Sequence, residues 1–373
     1  MRWLGFAFGI LVLVATAASV LGTLVVPRGI DSRISRAADR TIDLIFLTVA
    51  RQANTFKRRD RIFAWQAPVT LIARLATWLA LFVLGYGLVL LPLVHGVGRA
   101  FSESGSSMFT LGYSAPTDGR STVVDYFAAF TGLIVVGLQI GYLPTLYSAF
   151  NRRETDVTLL TSRAGVPAWG PEILVRTQWG VIGADTRPIL FELFDEWERW
   201  AAEVAESHTT YLTLVRLRSP RPLSHWLTSL LTVMDAAALH LSLTPQAEPR
   251  LSARLCLRMG FVALNQIGTA MRLPVVDDAD PDEAISISYE DFAEAVGTLE
   301  RLGYPLERNA EQAWPHFRGW RANYDQTALA MAKALDAPPA MWSGDRRWPS
   351  EPIPPIRPPA RLARDAEPPS ARS

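Results

Sequence analysis

Three long apolar runs organise the first 150 residues of this 373-residue chain, and no later segment is as long or as clean. The first extends from Leu4 to Val26 without a charge, the second from Pro68 to Val94, and the third from Val123 to Phe150. A helix that crosses a bilayer needs about 20 mostly apolar residues, and each run is long enough. Arg74 stands near the start of the second run, where its long side chain is expected to snorkel to the headgroups. Asp125 begins the third and is expected at the interface, near its outer end. After Phe150 the pattern turns amphipathic, with helices expected over 187–217, 223–243, 249–272, 288–302 and 309–335. Phe191, Phe194, Trp197 and Trp200 recur at helical spacing and read as a core stripe, and Ser288 with Asp291 three residues on reads as a helix start. No strand alternation, βαβ pattern or Gly-x-Gly-x-x-Gly is present, which argues against a nucleotide-binding domain. The fold class expected is an all-α membrane protein with an all-α cytoplasmic domain.

Charge placement orients the runs. Arg28, Arg33, Arg36, Arg40, Arg51, Lys57, Arg58, Arg59 and Arg61 separate the first from the second, and Arg152 and Arg153 follow the third. The connection from His95 to Thr122 carries only Arg99 and Arg120. Basic loops stay on the cytoplasmic side, so this connection and the N-terminus are expected outside the cell membrane, and the C-terminal part inside. A cleaved signal peptide ending at Ala15-Thr16-Ala17 is the rival for the first run. Cleavage would export the arginine-rich stretch, so an uncleaved anchor is preferred. Ile42, Ile45, Phe46 and Val49 have helical spacing, which fits a helix on the inner leaflet or one packed on the cytoplasmic domain. The expected layout is an anchor over 1–27, a basic linker over 28–67, a membrane hairpin over 68–150, a helical cytoplasmic domain over 151–342, and a Pro/Arg/Ser/Ala-biased disordered tail over 343–373.

Within the hairpin, the connection reads Ser104-Gly105-Ser106-Ser107-Met108-Phe109-Thr110-Leu111-Gly112-Tyr113-Ser114-Ala115-Pro116. Span, external re-entrant connection and returning span, with Thr-Leu-Gly-Tyr between them, resemble the two-helix pore module of the potassium-channel superfamily over residues 68–150. The resemblance implies a short pore helix over 98–108 and a selectivity filter at Thr110, Leu111, Gly112, Tyr113 and Ser114. In such filters backbone carbonyls replace an ion's hydration shell. It also implies a homotetramer, with potassium or another monovalent cation as permeant ion and no cofactor. Ser114 stands where that family's signature has its second glycine, Phe109 where a threonine commonly precedes the signature, and Ala115 where an acid commonly follows. These departures point to weak selectivity. In the last span Gly132, Gly137 and Gly141 are available as hinge or close-packing points, and Gly132 and Gly137 are also candidates to line the pore or its gate. Gln139 either lines an inner cavity or bonds a neighbouring helix, and Pro144 marks either a gate or a packing kink. Two other readings stand beside the channel: a hairpin with an ordinary external loop, and a non-conducting membrane scaffold or sensor that retains the pore module.

Composition narrows the remainder. The net charge of +1 argues against a nucleic-acid partner, leaving lipid, a second copy of the chain and an unidentified cytoplasmic ligand or protein. Cys256 is the only cysteine, so no intrachain disulfide or cysteine-built metal site exists. His208, His225, His240 and His316 have no partner at a diagnostic spacing and read as structural. Asp277, Asp278, Asp280, Asp282 and Glu283 form an acidic loop, but an EF-hand count from Asp278 puts Glu283 where glycine is required. No catalytic residue, metal ligand or enzymatic activity is expected.

Overall fold

A computed structural model of the chain describes residues 2–26, 32–116, 118–177, 187–276 and 278–343. The expected tail from 344 onward, and Asp277 of the acidic loop, lie outside the described residues. Every helix or strand among the described residues is an α-helix, fourteen in all. In order they are α1 (Arg2–Leu24), α2 (Arg33–Ala50), α3 (Phe56–Ala64), α4 (Gln66–Leu90), α5 (Val97–Met108), α6 (Gly119–Ala164), α7 (Gly170–Thr177), α8 (Arg187–Thr210), α9 (Thr213–Arg216), α10 (Trp226–Leu243), α11 (Arg250–Ala270), α12 (Tyr289–Arg301), α13 (Ala310–Ala322) and α14 (Asp325–Leu335).

Among the described residues four helical stretches are long and apolar enough to cross a membrane: α1, Phe56–Leu90 with α4, α6, and α10. The chain divides into two compact units. One comprises Met1–Asp156 with Arg199–Pro222 and Phe261–Asp277; the other comprises Val157–Glu198, Leu223–Gly260 and the described residues from Asp278 on. Three stretches of 151–342, namely 151–156, 199–222 and 261–277, thus belong to the first unit.

In the first unit α1 lies against α4, and glycines set their separation. A Cβ on Gly9 would stand 2.8 Å from the Gly85 carbonyl oxygen, too near for any other residue. Trp78 of α4 donates its indole N–H to Ser19 of α1 at 3.0 Å. Around this crossing Val20, Trp78, Phe82, Tyr86, Met108, Ala128 and Val135 form one apolar cluster.

Arg74 does not snorkel. It is 6% exposed and donates Nε to Asp39 of α2 at 2.6 Å, with Nη2 on the second oxygen of the same carboxylate. Burying a guanidinium is tolerable when a carboxylate meets its fork in this bidentate way. Asp43 accepts from Gln66 at 2.8 Å and pairs with Arg216, while Asp60 pairs with Arg218 at 3.1 Å. The acids of the basic linker therefore fasten α2 and α3 to their neighbours in the unit. Leu44, Ile45, Leu47 and Val49 remain exposed along α2.

The helix expected over 187–217 stops at Thr210, and the short α9 follows. The break frees carbonyls for a buried cation: Arg153, 2% exposed, donates to Leu214 O at 2.8 Å and Leu217 O at 2.7 Å, and pairs with Glu154 at 2.7 Å. Its Nη1 also meets His208 Nε2 at 3.0 Å. Guanidinium can only donate, so Nε2 must accept, and the proton of the neutral ring sits on Nδ1.

The second unit is built around α10. Each of its residues from Trp226 to Leu243 is buried, its apolar surface covered by α7, α13 and α14. At its centre Asp235 takes two bonds from Arg321 of α13, at 2.6 and 2.8 Å, and a third from the Tyr324 hydroxyl at 2.7 Å. Arg321 also donates to Asp325 at 2.7 Å and to Trp342 O at 3.1 Å. The helix expected over 309–335 is split into α13 and α14 to make this possible. Asn323 folds its amide back on the carbonyls of Gly319 and Trp320, at 2.8 and 3.2 Å, which closes α13. Ser288 caps α12 as expected, accepting from Asp291 N at 3.1 Å.

Two outcomes follow. Arg321→Met leaves Asp235 buried without its cation, which is expected to cost about 3–5 kcal/mol in denaturant unfolding of the second unit; a loss below about 1 kcal/mol would contradict the network's role. Burial, then the Arg153 charge, holds the His208 imidazole well below its ordinary 6.5. The folded chain keeps it neutral while the unfolded chain protonates it, so stability is full above pH 6.5 and declines as pH falls below it. The decline should approach about 1.4 kcal/mol per pH unit from this site. His208→Gln, whose amide oxygen can accept from Arg153, should flatten the fall between neutral and mildly acidic pH, and an unchanged slope counts against the assignment.

Candidate functional site

The candidate site is the segment from α5 to the start of α6. Gly96, at φ 99°, turns the chain into α5, one residue earlier than the expected start at 98. Helix α5 seats on α4 by two devices. Ser104 Oγ donates to Val83 O at 2.8 Å, and Gly87 of α4 gives room to the Phe101 ring, which a Cβ there would meet at 2.5 Å.

The filter candidate begins where α5 ends. Leu111 N donates to Ser106 O at 2.8 Å and Thr110 N to Ser107 O at 3.0 Å. This is the paired closure of a Schellman motif, which requires a left-handed residue just past the helix. Thr110 fills that place at φ 53°. The position usually falls to glycine, and a side chain there costs about 1–2 kcal/mol, with β-branched residues the least suited. Gly112 is again left-handed at φ 71°, with nothing within 4 Å of where a Cβ would stand. Ser114 N then donates to Ser106 Oγ at 3.1 Å and ties the far end of the loop back to α5. Phe109, Leu111 and Tyr113 are exposed, at 49%, 62% and 65%. The segment 109–116 carries no acid, base or thiol except the Tyr113 phenol, so its available ligands are backbone and hydroxyl oxygens.

Helix α6 presents two faces. Ser121, Asp125, Ala128, Gly132, Val135, Gln139, Tyr142, Leu146, Ala149 and Arg153 are buried at helical spacing. Gly132 passes the end of α5 so closely that a Cβ would lie 2.2 Å from Met108 O, so its role is close packing. Gln139, 7% exposed, is on this same inward face. Gly137, Gly141 and Pro144 are on the exposed side, with Tyr126, Phe130, Leu133 and Ile140 along it.

Residues not singled out in the sequence complete the support. The Tyr86 hydroxyl bonds Thr131 Oγ1 at 2.7 Å and Phe127 O at 3.2 Å, fixing α4 to α6. Glu103 of α5 is wholly buried near Asp125 of α6, itself 7% exposed. A glutamate inside a serine-rich twelve-residue helix was the available signal for it. Among the described residues no group of three or more His, Cys, Asp or Glu side chains is placed to hold a metal ion. No protein-family model, curated protein or solved structure matches the chain.

Proposed function

We propose that the chain is a membrane cation channel, with a pore formed by residues 68–150 from four copies and conduction of potassium or weakly selective conduction of monovalent cations. Thr110, Leu111, Gly112, Tyr113 and Ser114 would supply filter oxygens, and the second unit would regulate or assemble the channel from the cytoplasm. The observation that carries this reading is the backbone of the loop after α5. Left-handed residues at alternate positions, Thr110 and Gly112, turn successive peptide units in a segment whose backbone is not consumed by secondary structure. Strained residues held in place by their surroundings concentrate at functional sites, and Thr110 is such a residue.

Two further features support it. The loop is exposed in a single chain, as is the aromatic and aliphatic face of α6 that runs from it, so a ring of copies would have a surface to close on. Gly137 and Pro144 are on that same side, where a pore would be lined, whereas Gln139 faces the chain's own interior. The close glycine crossing of α1 with α4 supports an anchor retained in the mature chain.

Ion flux into liposomes containing the purified chain tests the proposal. Potassium or sodium flux above that of empty vesicles is expected, and Gly112→Val should reduce it to the empty-vesicle level, because a β-branched residue resists φ 71°. Flux unaffected by that substitution would place conduction elsewhere. Absence of flux for both ions across pH, voltage and calcium, or a stable monomer in detergent, would leave the non-conducting scaffold.

A further inference from the structure

Behind the loop, between α5 and α6, lies a polar centre that the channel reading does not use. Glu103 is 0% exposed and Asp125 7%, and none of their four carboxylate oxygens has a hydrogen-bond partner. That holds for strict hydrogen-bond geometry: Ser107 and Glu103 stand close enough to Asp125 to bond it on a small adjustment, as does Ser121, itself bonded to Asp118 O at 3.1 Å, to Glu103. Arg99 and Asp118 act on Glu103 only through space. Native interiors leave very few polar groups unmet, and a pair of carboxyl groups is among the costliest to leave so. Two acids this close either share a proton or keep both charges around a cation.

The oxygen set indicates what that is. Two carboxylates supply two negative charges and up to four ligand atoms, and the Ser107 and Ser121 hydroxyls add two neutral oxygens. Six oxygens of this kind suit a hard divalent cation, and a buried site favours calcium over magnesium, which gives up its waters reluctantly. We infer that Glu103 and Asp125, with Ser107 and Ser121, bind one divalent cation of the calcium class between α5 and α6, clamping the helix that carries the loop to the helix that follows it. This site is distinct from the filter, which would hold monovalent ions on backbone carbonyls.

The test uses the full chain, purified in detergent and stripped with a chelator. Equilibrium dialysis against calcium should give one saturable ion per chain, with calcium raising the thermal unfolding midpoint more than magnesium does. Glu103→Gln and Asp125→Asn should each weaken binding by about tenfold or more and abolish the midpoint shift. Should neither variant fold, Ser107→Ala, which removes a single neutral ligand, decides the matter: undiminished affinity there overturns the site. Asp280→Asn with Asp282→Asn, and separately Gly112→Val, should leave binding unchanged. Loss of binding in the first pair would assign the ion to the acidic loop, and loss in Gly112→Val to the filter; either overturns the inference. So does a stripped chain that binds no calcium and is stabilised only by lowering pH, the signature of two acids sharing a proton.

Discussion

Helix α4 meets a different neighbour at each of its two glycines near the loop, and the first unit depends on the closeness this allows. Gly85 faces Gly9 of α1, and Gly87 receives the Phe101 ring of α5. A third contact of the same kind, Gly132 of α6 against the Met108 carbonyl, fixes the last helix to the end of α5. In a bilayer, where lipid is as apolar as leucine, helices associate through close packing and interhelical hydrogen bonds rather than by escaping solvent. The Tyr86 to Thr131 and Trp78 to Ser19 bonds are of the second sort, laid across the same crossings. The loop inherits its position from these approaches: α5 is fixed on α4 at one side and on α6 at its C-terminal end.

Outside the apolar layer the governing constraint is charge. The linker between α1 and α4 is rich in arginine, yet three of its four aspartates fasten it in place, because each of the three meets an arginine from elsewhere in the unit. Arg74 takes Asp39, Arg216 takes Asp43 and Arg218 takes Asp60. The second unit repeats the principle in its core, where Asp235 and Arg321 would each be prohibitively placed without the other. Buried pairs of this kind fix register more surely than they add stability, since an apolar pair could fill the same volume.

Apolar length was the legible part of the sequence. The runs at Leu4–Val26, Pro68–Val94 and Val123–Phe150 became the cores of α1, α4 and α6, and the short helix before Thr110 lies within a residue of its expected start. Partners were not legible, because periodicity says which side of a helix is wet and nothing about what is opposite. Asp43 and Arg216 are 173 residues apart. Nothing near Arg74 in the sequence names Asp39 as its partner, and in α10 Asp235, His240 and several hydroxyl residues dilute the apolar character of a helix that is buried along its whole length. In the loop, Gly112 announced a left-handed backbone by its type. Thr110 did not, since its side chain argues for the opposite sign of φ.

That reversal at Thr110 has a mechanical consequence. A glycine there would rest in the left-handed well by preference, and the turn would be slack. With threonine the turn is a loaded spring: its own torsional preference pushes toward extension, and the two backbone bonds to Ser106 and Ser107 and the catch between Ser114 and the Ser106 hydroxyl hold it shut. A segment preloaded this way has a built-in direction of travel. Loosening the catch lets Thr110 return to negative φ, and nothing in its own torsions draws it back.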